Sequence, residues 1–150
     1  GSTYFDLAGS KGPDVPQIDL KTLPDVLMAI TKGIQKGDIL SCHDISEGGI
    51  ASALAEMSFG GGFGAAVDLA AIAKTRPDFL FFNETAGTFL VEVADEKTAH
   101  RVFKNVPHAI IGKTTSKPAL HVSYGKTPLA QIDINLLKKA WQQPMKEIFA

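Results

Sequence analysis

The stretch from Ile39 to Gly62 constrains the fold more than any other part of the chain. It opens on the apolar run Ile39 to Cys42, which reads as a short strand. Polar residues His43 to Glu47 follow, then Gly48 and Gly49. Beyond them Ile50, Leu54 and Met57 recur along one side of a helix, and Ala51, Ala53 and Ala55 let that helix pack closely. Gly60, Gly61 and Gly62 stop it. Together with the other elements, this segment fits neither a strict βα repeat nor an all-β pattern.

The remaining segments fit the same class. Thr22-Leu23-Pro24-Asp25 looks like a helix start, with Thr22 as the capping residue and Pro24 in the first turn. Leu23, Val26, Leu27, Ile30 and Ile34 form its apolar face, and Gly37 ends it. Strands are expected at Phe63 to Leu69, Thr88 to Val93, His108 to Thr114, Ala119 to Tyr124 and Leu129 to Ile134. Helices are expected at Glu96 to Asn105, with Ala99, Val102 and Phe103 inward, and at Asn135 to Phe149, with Leu136, Leu137, Ala140 and Trp141 inward. Pro144 is expected to bend or split the last of these, and Pro77 to break a helical turn near Ala70. Residues 1–20, with Gly9, Gly12, Pro13 and Pro16, read as a linker or lead-in with a short extended piece at Thr3 to Leu7. Residues 21–150 then form one domain, a mixed sheet covered by helices.

Composition narrows the functional classes. A chain of 150 residues with 45% apolar content buries roughly 70% of its unfolded surface, so it folds without disulfide or metal. No apolar run approaches the about 18 residues of a membrane span, so no membrane partner is expected. The opening residues lack the charged and apolar regions of a secretory leader. A formal charge of −1 without a Lys/Arg cluster argues against nucleic acid as a partner. Cys42 is the lone cysteine, which excludes an internal disulfide and suits a reducing, cytoplasmic setting. It is expected to be a small core residue rather than a nucleophile, because it and His43 point to opposite faces of a strand. His100, His108 and His121 show no zinc-ligand spacing.

The candidate chemistry sits in Ser41-Cys42-His43-Asp44-Ile45-Ser46-Glu47-Gly48-Gly49-Ile50. Glycines at a helix start expose backbone N–H groups where the helix dipole is positive, a place suited to phosphate. A carboxylate at the strand end, Asp44, can hold Mg²⁺ on such a phosphate. Ser46 either donates to a phosphate or caps the helix. Junctions of this kind also arise simply to cap helices, and both alternatives stand on local grounds. The segment lacks the Gly-Lys-Ser/Thr ending of a Walker loop and the third glycine of a dinucleotide fingerprint. A second polar feature, Asn83-Glu84-Thr85-Ala86-Gly87, follows the apolar run Phe79 to Phe82; Glu84 either faces a cleft or lies on an exposed turn.

The run SCHDISEGGIASALAEMSFGGGFGAAVDL resembles the C-terminal module of the aminoimidazole ribonucleotide synthetase-related superfamily, and within it most closely the last module of phosphoribosylformylglycinamidine synthases. His43, Asp44, Ser46, Glu47, Gly48, Gly49, Leu54, Ala55, Glu56 and Met57 fit its His-Asp-x-Ser-Asp/Glu-Gly-Gly pattern and the Ala-Leu-Ala-Glu-Met that follows. FFNETAGTFLVEV is similar to a downstream family motif, with Thr88 where Arg is common. Tyr4 fits the family lead-in without its usual preceding acid, and Leu137 to Trp141 fit the closing Leu-x-x-Ala-Trp.

The resemblance implies an α/β fold, three-layer α/β/α around a mixed sheet with partly ferredoxin-like topology. It implies an ATP-dependent ligase that converts formylglycinamide ribonucleotide to the amidine in purine synthesis, with Mg²⁺ and ATP/ADP bound in the complete enzyme. No catalytic residue is assigned to this chain, because the general base and main ATP loop lie outside the module. Asp44 matches a Mg²⁺ position, and His43, Ser46, Gly48, Gly49 and Glu84 are candidates for nucleotide or phosphate contact. The implied partners are an N-terminal nucleotide-binding module and a glutaminase domain or subunit. Alternatives are another superfamily member, such as a selenide or thiamine-monophosphate kinase relative or a hydrogenase-maturation protein, and a purely structural assembly module.

Overall fold

A computed structural model describes residues 2–9 and 17–149. The readings at Gly12, Pro13 and Pro16 lie outside the described residues. The elements, in chain order, are α1 (Thr3–Leu7), α2 (Leu23–Gln35), β1 (Ile39–Asp44), α3 (Gly49–Gly61), β2 (Gly64–Asp68), a single 3₁₀ turn at Leu69–Ala71, α4 (Pro77–Phe81), β3 (Phe89–Val93), α5 (Glu96–Val102), β4 (Gly112–Thr115), β5 (Ala119–Tyr124), β6 (Thr127–Asp133) and α6 (Ile134–Ile148). They fall into two compact units, residues 1–53 with 82–110, and residues 54–81 with 111–150. Among the described residues no helix is long and apolar enough to cross a membrane.

In the first unit β1 and β3 pair antiparallel, with Cys42 opposite Val91 and Asp44 opposite Phe89. Ile30 of α2, Ile39 of β1, and Phe103 and Val106 after α5 form the buried cluster, against which Phe89, Val91 and Val93 pack. Burial of four such side chains stabilises by about 1.5–3 kcal/mol each. Gly33 on α2 makes this close packing possible. A Cβ there would stand 2.7 Å from the Ile39 Cδ1 methyl, a contact that any larger residue would have to push apart.

The second unit holds the mixed sheet, in strand order β4-β2-β5-β6. β2 runs parallel to β5, and the β2–β4 and β5–β6 pairs are antiparallel. Ala65, Val67, Leu120 and Val122 alternate inward along the two central strands, and Leu69, just after β2, and Ile134, just after β6, are buried as well. The expected mixed α/β class is therefore present. Its strands divide between two sheets, because the β1–β3 pair makes its own ladder.

Several local expectations are corrected. Thr3–Leu7 is a helical turn, not an extended piece: Ser2 caps it by accepting from the Phe5 N–H at 3.4 Å. Thr22 makes no side-chain cap to α2. Asp19 instead caps the turn just before α2, its carboxylate accepting from the Thr22 hydroxyl and from the Lys21 N–H at 3.0 Å, and these bonds hold its pKa below the usual carboxylate value. Pro77 begins α4 instead of breaking a helix, since a first-turn position needs no N–H donor. Phe79 to Phe81 are accordingly helical. The strand expected at His108 to Thr114 shortens to Gly112–Thr115. Pro144 lies inside α6, which runs unsplit to Ile148. Leu136 and Trp141 are 64% and 58% exposed rather than inward, and Ile134 supplies the buried contact of that helix. The Trp141 ring still leans on Phe59 at 5.4 Å. Cys42 is exposed, not a core residue. Burial alternates along β1: Ile39 is buried, Ser41 and His43 are half-buried, and Leu40, Cys42 and Asp44 lie on the exposed face.

Candidate functional site

Strand β1 delivers its polar end, Ser41 to Asp44, to the turn that starts α3. Backbone pairing continues one step further, because the Ile45 N–H donates to the Thr88 carbonyl at 2.9 Å and the Ile45 side chain is buried. The chain then turns: the Gly49 N–H donates to the Ser46 carbonyl at 3.0 Å. Gly48 and Gly49 have φ of +78° and +66°, the left-handed region where side chains are disfavoured. A Cβ on Gly48 would also meet the Ser52 hydroxyl oxygen at 2.0 Å. The glycine pair is thus a steric requirement of the strand-to-helix turn.

Glu84 closes the turn from the side. One carboxylate oxygen, Oε1, accepts from the Gly48 N–H at 2.9 Å and from the Thr3 N–H at 3.0 Å. A half-buried acid thereby ties the start of α1 to the glycine turn. A negative group at this place is favoured by the backbone donors of both helix starts. Tyr4 of α1 stacks on Phe82 with ring centroids 4.8 Å apart and planes within 3°, which fixes the segment next to Glu84. Asn83 holds the same loop by accepting from the Thr85 N–H at 2.7 Å.

The remaining candidates stand along the strand end. His43 is half-buried, and its Nδ1 lies 2.6 Å from the Asp44 carbonyl oxygen and 3.6 Å from Asp44 Oδ1. The Asp44 side chain is 67% exposed. Ser46 is exposed in the turn. Ser41 donates through its hydroxyl to Glu92 Oε2 at 2.9 Å across the ladder. Partial desolvation by its neighbours, and then the Asp44 carboxylate, push the Cys42 thiol pKa up, which opposes a thiolate role.

The structure therefore joins Gly48 and Glu84 directly and sets His43 beside Asp44. Ser46 and Gly49 share the turn between them. The sequence reading missed Thr3, which contributes only a backbone N–H, and Ser52, which packs against Gly48. Neither carries a side-chain motif, so only three-dimensional proximity reveals them. Among the described residues no group of three His, Cys, Asp or Glu side chains could enclose a metal ion. Mg²⁺ needs no such cage, because it keeps waters and phosphate oxygens and takes one or two carboxylates. The exposed Asp44 carboxylate at the strand end fits that requirement, and a zinc-type site does not.

Comparison with known proteins adds the family. Residues 2–125 match the family described as AIR synthase related protein, C-terminal domain. The chain is 34% identical over 152 residues to the phosphoribosylformylglycinamidine synthase subunit PurL of Deinococcus radiodurans, covering 98% of this chain and 20% of that protein. It thus spans about a fifth of the length of the curated relative it matches. The solved structure of T. maritima PurL complexed with FGAR superposes with a TM-score of 0.70 at 20% identity, over 88% of this chain and 24% of the other. T. maritima PurL complexed with ATP gives 0.65 at 19% identity, over 75% and 21%. At such identities the structural likeness speaks for the fold. The family match over most of the chain places it in the AIR synthase-related family, as a C-terminal domain of that family.

Proposed function

We propose that the chain is the C-terminal module of phosphoribosylformylglycinamidine synthase, an ATP-dependent carbon–nitrogen ligase of purine synthesis. The reaction phosphorylates the amide oxygen of formylglycinamide ribonucleotide with ATP, and ammonia then displaces phosphate to leave the amidine. One observation carries this reading: 34% identity to a PurL subunit that extends over 98% of the chain, the glycine turn included. The T. maritima PurL structures described as complexes with FGAR and ATP support these substrate classes.

Within that enzyme the chain's own residues bind and position. Asp44 would hold Mg²⁺, which when bound neutralises phosphate charge. Gly48 and Gly49 let the backbone turn sharply into α3, and Glu84 holds that turn in shape through the Gly48 N–H. His43 packs against Asp44 and restrains its backbone. Ser46 offers a hydroxyl at the exposed rim. The general base and main nucleotide loop belong to an N-terminal nucleotide-binding module, and ammonia to a glutaminase domain or subunit.

The test uses the complete protein that carries this chain, supplied with ATP, Mg²⁺, ammonia and formylglycinamide ribonucleotide. ADP release coupled to amidine formation is expected; absence of that turnover in a folded protein that hydrolyses or binds other substrates overturns the assignment. Asp44→Asn is expected to lower Mg²⁺-dependent nucleotide retention, read by calorimetry and mass spectrometry. Unchanged occupancy would remove Asp44 from the metal.

A further inference from the structure

We propose that His100 and His108 form an open two-imidazole site for a borderline divalent transition ion such as Cu²⁺ or Zn²⁺, separate from the glycine turn. His100 lies in the last turn of α5, and His108 follows the buried Val106. Both histidines are exposed. Their facing ring nitrogens, His100 Nδ1 and His108 Nε2, are 3.1 Å apart, and the rings meet edge to face at 5.4 Å. Two metal–nitrogen bonds of about 2.0–2.1 Å at angles from about 90° to 109° hold their donor atoms about 2.8–3.4 Å apart. The observed separation falls inside that range, so an ion can take the place of the shared hydrogen once each ring tilts toward it and the His100 proton passes to that ring's Nε2.

The surroundings favour the same use. His108 Nδ1 lies 3.0 Å from the Val106 carbonyl oxygen. A carbonyl only accepts, so Nδ1 carries the proton and Nε2 keeps its lone pair toward His100. A carbonyl behind the non-ligating nitrogen is the arrangement that orients metal-binding histidines and raises their basicity. The site is also held firmly. The Phe103 N–H donates to the Ala99 carbonyl at 2.9 Å, and the Val106 N–H donates to the Phe103 carbonyl at 3.1 Å. Phe103 is buried, and its ring lies 6.0 Å from that of His108. Neutral imidazoles select Cu²⁺, Ni²⁺ and Zn²⁺ over Mg²⁺ or Ca²⁺. With two protein ligands, waters complete the coordination, so binding is expected in the weak, exchangeable class and links the end of α5 to the segment after it.

The test is a Cu²⁺ titration of the complete protein carrying this chain, stripped of metal with a chelator and compared with its variants. The wild type is expected to show an electron paramagnetic resonance spectrum with two equatorial imidazole nitrogens and to release the Cu²⁺ on addition of excess chelator. His100→Ala is expected to lose one equivalent of Cu²⁺, or to bind it at least about tenfold more weakly, because a direct ligand matters no less than an outer-shell partner. His108→Ala should lose the same equivalent, the double variant no more than either single one, and His121→Ala none. A spectrum with one nitrogen, unchanged stoichiometry in His100→Ala, or additive losses in the double variant would overturn the site. The wild-type spectrum decides the matter even where a variant folds poorly.

Discussion

Glu84 places one carboxylate oxygen against two backbone donors that are far apart in the chain, Thr3 and Gly48. Each bond is charge-assisted, and the residue is half-buried, so solvent screening takes part of their value. Glu84→Ala is expected to cost about 1–2 kcal/mol by denaturant unfolding, with the loss concentrated in the N-terminal segment. Glu84→Gln keeps an acceptor oxygen and should cost about half of that or less. An unchanged midpoint in the alanine variant would show that the carboxylate does not brace the turn. Gly48 is the complementary case: its φ of +78° and the nearby Ser52 hydroxyl leave no place for a side chain.

At the scale of elements, two contacts hold neighbouring segments in register. Arg101 near the end of α5 forms a fork on Asp38, just before β1, with both nitrogen–oxygen distances 2.8 Å. The Arg101 guanidinium holds the Asp38 carboxyl below its ordinary pKa, and Asp38 in turn raises that of Arg101. A depressed folded-state pKa means a contribution present above the unfolded value near 3.9 and lost as pH falls through the folded value. Asp38→Asn is therefore expected to flatten the fall of stability below about pH 4, while changing the slope between pH 6 and 8 little. Parallel curves for wild type and variant in the acid range would refute this. In the second unit Gly112 of β4 lies so close to β2 that a Cβ would stand 2.0 Å from the Ala66 carbonyl oxygen. Backbone cannot rotate aside as a side chain can, so Gly112→Ala should open the β2–β4 edge and cost about 1–3 kcal/mol or more. Hydrogen exchange localised to residues 112–115 would report it, and native-like protection there would contradict it.

At the scale of the whole molecule, the chain is about a fifth the length of the Deinococcus radiodurans relative. The proposed function places the nucleotide loop and the general base of the ligase reaction in another module of the complete protein. The isolated 150-residue chain is therefore expected to fold and to show no amidine-forming turnover, measured by ADP release with ammonia present. Turnover by the chain alone would place the catalytic groups within it.

What the amino-acid sequence determined by itself is the set of local events whose causes are local. Gly37, Gly48 and Gly62 mark turns because each takes a positive φ that other residues avoid, and all three were legible as punctuation. The helical period of α2 and the alternation of β2 and β5 were legible for the same reason, since side-chain spacing follows from backbone geometry. The candidate segment from His43 to Gly49 was legible as a strand running into a helix. Only the tertiary structure decided which groups meet there. Glu84 reaches Gly48 across 36 positions and Thr3 across 81, and no spacing rule foretells such partners. It also decided burial: the exposed face of β1 carries Cys42, and α6 kept Ile134 inward while Leu136 and Trp141 faced out. Local preferences set the direction in which each segment runs, but the partners of a side chain depend on how distant segments pack, and that is settled by the sum of many weak contacts.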